Sequence, residues 1–273
     1  MKYTVQTSKY ISKNLLYILP FAILPAFFLS MSVAKEEIAK VINAVFAGDF
    51  EAWTFSDLFC AISVLNFSSW QSVVMGLIGV IVIVPCVSLM MAFMDKHMRF
   101  GKRTFNGLLP KLNDNFISTL GYTVLFLIIY EVWALITSAL LFLVSLIPNA
   151  IAVYIVAPLI FIVMHVVLLY AIGAIYLWLP CMQITGFPTM EALQYSYHLL
   201  TPVKWGILGG QIFALLATEG LIVLCAMYLP NFILFTIWST VLFTALLLFY
   251  CVRMMITYFD RDQIERADLR KYY

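Results

Sequence analysis

Four runs of the chain contain no Asp, Glu, Lys or Arg: residues 14–34, 58–94, 132–190 and 220–252. A bilayer crossing needs about 20 consecutive apolar residues, so these runs have room for more than four crossings. Soluble domains are roughly 25% charged, whereas this chain of 273 residues is 11% charged and 64% hydrophobic. That composition excludes a soluble globule, a disordered chain and a coiled coil. The apolar stretches are continuous rather than alternating, which excludes a transmembrane barrel. What remains is an all-α fold, a polytopic transmembrane helical bundle forming one integral membrane domain.

Six spans are predicted, at about 14–34, 71–94, 115–147, 150–180, 203–229 and 231–258. Between them lie an external segment, 35–69, and cytoplasmic loops at 95–114 and 181–202; a cytoplasmic tail, 259–273, follows. Pro20 and Pro25 are expected to kink the first span. Six crossings place both termini on one side. Of the sixteen Lys and Arg, fourteen fall on that side, including Arg253 at the end of span six, and only Lys35 and Lys40 on the other. Cytoplasmic loops carry the excess of basic residues, so both termini are expected inside the cell membrane. The first span also resembles a secretory signal peptide, with Ser32-Val33-Ala34 as its cleavage site. Its internal prolines and polar lead favour a retained span.

Spans three and four join at Ile147-Pro148-Asn149-Ala150, and spans five and six at Leu229-Pro230-Asn231-Phe232. Each is a turn signal in an apolar run. Ahead of each hairpin lies an amphipathic stretch, 104–112 or 189–200, expected as a short interfacial helix on the inner face. An offset of 88 residues superimposes Gly121 on Gly209 and Glu131 on Glu219, which is the layout of a repeated helical hairpin. In the external segment Ile38, Val41, Ile42, Val45 and Phe46 follow helical spacing. Trp53, Phe55, Phe59, Phe67 and Trp70 fit an outer aromatic belt anchoring it to the membrane surface. A ligand-binding lid is the alternative for this segment.

Glu131 and Glu219 are the only acidic residues deep in predicted spans, each roughly 24 Å from the inner end at 1.5 Å per residue. An ionisable group at that depth is unfavourable enough to mark a functional position. His165, midway along span four, is the natural partner for a buried carboxylate. Gln211 and Thr218 share a stripe with Glu219 on span five. These five residues form a candidate polar intramembrane site; hydrogen bonds between helices are the structural alternative. Lys96, Arg99, Lys102, Arg103 and Lys111 in the loop between spans two and three are candidates for anionic-lipid contact, or act only as topology determinants. Gly76, Gly79, Gly206, Gly209 and Gly210 permit close helix approach. The alternating charges of 260–271 suggest a solvated helical extension of span six.

Cys60, Cys86, Cys181, Cys225 and Cys251 are scattered singly, which points to packing rather than metal or thiol chemistry. No nucleophile elbow, phosphate loop, zinc motif or dinucleotide fingerprint is present. No cofactor or metal is expected, and a net charge of +2 gives no reason to expect a nucleic-acid partner.

Tyr176-Leu177-Trp178-Leu179-Pro180, then Met190-Glu191-Ala192-Leu193-Gln194-Tyr195-Ser196-Tyr197, then Lys204-Trp205-Gly206-Ile207-Leu208 resembles a group of bacterial six-helix membrane proteins. The group includes the YesL-like and YciC-like families and the membrane domain attached to some glycerophosphodiester phosphodiesterases. Pro85 to Phe116 is similar as well, so the likeness covers roughly residues 70–258. It implies architecture; the phosphodiesterase catalytic domain is absent, and no activity carries over. The functional expectation is a non-enzymatic bacterial inner-membrane protein, an accessory or assembly partner in envelope processes with possible lipid and protein partners. The alternative is a small transporter, or the permease subunit of an ABC-type exporter, with a polar intramembrane path.

Overall fold

A computed structural model describes residues 2–269, whose regular structure is all helical with no strand among them. Among the described residues six helices are long and apolar enough to cross a membrane. In chain order the elements are α1 (Lys2–Ser32), α2 (Lys35–Ala47), α3 (Phe55–Ile62), α4 (Trp70–Phe100), α5 (Leu108–Ser145) and α6 (Ala150–Ile175). There follow a short turn α7 (Trp178–Pro180), α8 (Thr189–Leu200), α9 (Lys204–Tyr228) and α10 (Phe232–Arg261). Several helices outrun the apolar runs that announce them. Both α1 and α10 continue into charged sequence at the same end of the bundle, where Lys2 and Tyr3 reach Asp260 at 2.8 and 2.7 Å.

The long helices close into a ring. α1 packs between α10 and α4, α4 against α5, α5 against α6, α6 against α9, and α9 against α10. Small residues allow close approach: a Cβ on Gly79 would come within 2.9 Å of the Leu29 side chain and 3.1 Å of its backbone nitrogen, so the absence of a side chain there lets α4 sit close against α1. Polar links tie α1 to its neighbours, Ser30 to Thr240 at 2.7 Å and Tyr10 to His97 at 2.9 Å. Both hairpins turn as their Pro-Asn pairs suggest, and the asparagines explain why. Asn149 Oδ1 accepts from the Ile151 and Ala152 amides, and Asn231 Oδ1 from the Ile233 amide, satisfying first-turn donors that have no helical partner.

The two ends of the ring differ. The end that carries both termini is filled by one continuous core including Ile18, Met90, Met94, Phe93, Tyr176, Leu179, Met255 and Phe259. The opposite end is roofed by 35–66. Here the surface-anchor expectation needs correction: Ile38, Val41, Ile42 and Val45 face into the bundle interior, and Trp53 is buried, its indole nitrogen donating to Val41 O. Phe46, Phe67 and Trp70 are exposed. Surface packing of α2 and α3 would have left their apolar stripe on lipid, and the hollow beneath gives it a better place.

Two other stretches depart from expectation. Residues 108–112 are the first turns of α5 rather than a separate helix, while α8 is a helix of its own. The tail does not extend α10. The helix ends at Arg261, Gln263 takes a left-handed φ of 55°, and Ile264 turns back onto the core. Asp262 accepts from the Tyr195 and Tyr258 hydroxyls, and Arg266 pairs with Asp268 at 2.8 Å. The remainder of the charged tail, including Arg270 and Lys271, lies outside the described residues.

Candidate functional site

Between the filled end and the roof the ring surrounds a half-open chamber of about 640 Å³, within the range of pockets that hold small ligands. Every spanning helix lines it, with Leu29 from α1, Val87 from α4, Phe126 and Trp133 from α5, Phe161 and Leu169 from α6, Leu215 from α9, and Phe243 and Leu247 from α10. Ile38, Val41, Trp53 and Leu58 close the roof. Polar groups are few: Ser32, Ser63, Tyr122, Thr123, Tyr130, Tyr154, Gln211, Thr218 and Tyr250. Glu219 is the one acidic or basic side chain among the described residues that lines it.

Gln211, Thr218 and Glu219 face the chamber together from α9, and His165 stands behind Glu219 on α6. His165 is 1% exposed, with its Nε2 2.9 Å from Glu219 Oε2 and its Nδ1 2.8 Å from Phe161 O. A carbonyl oxygen only accepts, so Nδ1 carries a hydrogen. The Nε2–Oε2 contact then holds one proton, on the imidazole or on the carboxyl, and the pair is neutral overall in either form. Trp133 sets its ring edge-to-face on the imidazole at 4.8 Å, and Phe161 packs at 4.3 Å. The arrangement fixes the histidine and leaves the carboxylate partly open to the chamber. Thr218 donates to Ala214 O at 2.8 Å, within its own helix.

Glu131 does different work. Its carboxylate accepts from Ser63 Oγ at 2.7 Å and from the amides of Val64 and Leu65 at 3.1 and 3.0 Å. Tyr130 donates to Ile62 O at the end of α3, and Ser32 to Val64 O. The loop 63–65 that follows α3 has no regular structure to satisfy its backbone, and α5 supplies that through one carboxylate. Glu131 and Glu219 therefore do not meet; each has its own partners, and the layout that aligns them does not make them a pair.

The basic candidates sit apart from the chamber, at the end that carries both termini. Lys96 donates to Asn106 O, Arg99 pairs with Asp95 at 2.6 Å, Arg103 stacks over Tyr17, and Lys102 and Lys111 are exposed. All five cysteines are free thiols, four of them buried. No group of His, Cys, Asp and Glu among the described residues has the arrangement of a metal site.

One residue escaped the sequence reading. Arg253, counted there as an inner-side charge, is 2% exposed inside α10. Its Nη2 donates to Gly206 O at 3.0 Å, while Nε and Nη1 have no partner within the protein. Its position among Val252, Met254, Met255 and Ile256, well before the charged tail begins, was the available signal. No family model, curated protein or solved structure matches the chain, and a functional reading rests on this geometry.

Proposed function

We propose that this chain is a non-enzymatic, multi-pass protein of a bacterial inner membrane that holds the apolar part of a lipid-like molecule in its chamber, acting as an accessory or assembly partner in envelope processes. The chamber carries the reading. It is large, lined by all six spans, almost wholly apolar and covered by a dedicated roof, which suits a hydrocarbon and not a hydrated ion. With the buried Arg253 set aside, thirteen of the other fifteen basic residues fall on one side, which supports cytoplasmic termini. The likeness of 176–208 to the YesL-like group supports the bacterial inner-membrane setting. The exposed Lys102 and Lys111 are the part of the basic loop best suited to anionic head groups.

The test is lipid retention. Protein purified in mild detergent is expected to keep a defined lipid through extensive washing, seen by mass spectrometry of the extract. Ala157→Phe, which projects a ring into the chamber, should lose it. A wild-type protein that retains no lipid, or a variant that retains as much, would overturn the reading.

A second reading, transport, is favoured by the His165–Glu219 pair at the chamber wall. A proton shared between two groups, one of them partly open to a cavity, is what proton-coupled movement of a substrate requires. Glu219→Gln should then abolish flux in proteoliposomes, and unchanged flux would dismiss this mechanism.

A further inference from the structure

We infer that the inner end of the chamber recognises an anionic head group, so that its occupant is a long-chain amphiphile with a single carboxylate or phosphate; this rests on the chamber reading above. Gln211 lies on the chamber lining, 7% exposed, and both its amide oxygen and amide nitrogen lack partners. One residue earlier on α9, Gly210 provides the slot for a cation. A Cβ there would sit 2.6 and 2.7 Å from the two terminal nitrogens of Arg253. The guanidinium is thus held between α9 and α10, against Gly206 O and 5.7 Å from the ring of Phe249, another chamber residue. The Tyr176 hydroxyl, buried and without a geometrically sound hydrogen bond, lies beside Gln211 and within electrostatic reach of Arg253.

No ion pair compensates Arg253 among the described residues. A buried charge persists when something pairs with it, and N–H groups left without acceptors in an apolar interior are strongly unfavourable. At the floor of the apolar chamber Gln211 carries its amide on the lining, and directly behind it, one layer below the lining, stand the two unpartnered guanidinium nitrogens of Arg253 and the Tyr176 phenol. An oxyanion matches that donor set, since guanidinium pairs with carboxylate and phosphate through parallel hydrogen bonds. The hydrocarbon chain would then extend from Gln211 past Leu215 toward the roof.

The probes are dibromostearate and its methyl ester, which share a tail that quenches indole fluorescence and differ only in the head. In a background of Trp70→Phe, Trp205→Phe and Trp238→Phe, which removes three exposed indoles, Trp53 and Trp133 report from the chamber lining and Trp178, buried off the lining, gives a constant background. At alkaline pH the acid should bind about tenfold tighter than the ester. Arg253→Gln should bring that ratio close to one while ester binding persists, and Gln211→Leu should reduce it several-fold. A wild-type ratio near one, or a ratio unmoved by Arg253→Gln, overturns the head-group assignment and leaves the chamber reading standing. Failure of both probes to quench overturns the chamber reading and this inference together. If Arg253→Gln does not fold, the wild-type ratio and its change in Gln211→Leu decide.

Discussion

The two ends of this bundle are built from the same kinds of residue and use them differently. Toward the termini, apolar side chains from all six long helices and from α7 and α8 meet one another in one continuous core. Toward the roof, apolar side chains from the same six long helices face a hollow of about 640 Å³, and α8 takes no part in it. Helices with no hydrophobic drive to associate in lipid hold together by close packing and hydrogen bonds. The filled end supplies the first. The hollow end relies on the second, through Glu131 on the roof loop and His165–Glu219 across α6 and α9. A molecule stable at one end and hollow at the other can keep its shape while the hollow end takes in a ligand.

The comparison breaks most visibly on truncating apolar side chains. Phe93, fully buried in the filled end, should lose about 3–5 kcal/mol of stability on substitution by alanine. Leu169, buried and on the chamber wall, should lose only about 2 kcal/mol, the low end for a buried leucine, because one side of it already lacks partner atoms. Thermal unfolding in one detergent compares them directly, and equal losses would mean the chamber closes up in solution. Glu131→Ala comes next. It strands the Val64 and Leu65 amides on loop 63–65, worth roughly 1–3 kcal/mol for each donor that finds no water, while the Ser63 hydroxyl keeps Leu65 O as an acceptor at 3.0 Å. Amide exchange in that loop should accelerate far more than exchange in α4 or α10, and uniform acceleration would show that the roof is not an independent unit.

The His165–Glu219 link sharpens the contrast at a smaller scale. Glu219→Gln can keep the bond, with the amide donating to an unprotonated Nε2, so stability should change by less than about 1 kcal/mol. Glu219→Ala leaves Nε2 without a partner and should cost about 1–3 kcal/mol. If both variants unfold alike, charge rather than the hydrogen bond holds α6 to α9.

Class and span count were legible because the absence of charge over long runs admits few other structures, and the Pro-Asn turns because a side-chain oxygen at that position caps a helix wherever it occurs. The roof was legible only as an amphipathic pattern. Spacing at Ile38, Val41, Ile42 and Val45 defines an apolar face without stating whether lipid or protein covers it. The chamber was not legible at all, since residues lining a hollow and residues facing lipid carry the same side chains. Glu131 and Glu219 stood out as deep carboxylates, but their separate duties depend on which element lies opposite. Arg253 was hidden by the counting rule itself, which treats a basic residue near a span's end as a marker of side.

The smallest effect tests the roof from its outer surface. Thr54 caps α3 by accepting from the Asp57 amide, and its hydroxyl donates back to Asp57 Oδ2 at 2.7 Å; Lys40 on α2 pairs with the same oxygen at 2.6 Å. Burial alone would raise the Asp57 carboxyl, but the hydrogen bonds from Lys40 and Thr54 outweigh it and hold the group below its ordinary value. A carboxyl lowered in the folded state contributes stability that is present above its unfolded pKa and lost as pH falls through the lower folded value. The α2–α3 clasp should therefore weaken only in acid, by roughly 0.2–1 kcal/mol for an exposed pair. Asp57→Asn should remove that acid dependence while leaving the Thr54 cap in place. Exchange rates in α3, followed from neutral pH into acid, measure it; if α3 loosens equally in the variant, the acid-sensitive contact in the roof lies elsewhere, and the clasp between α2 and α3 is held by its apolar face against the chamber alone.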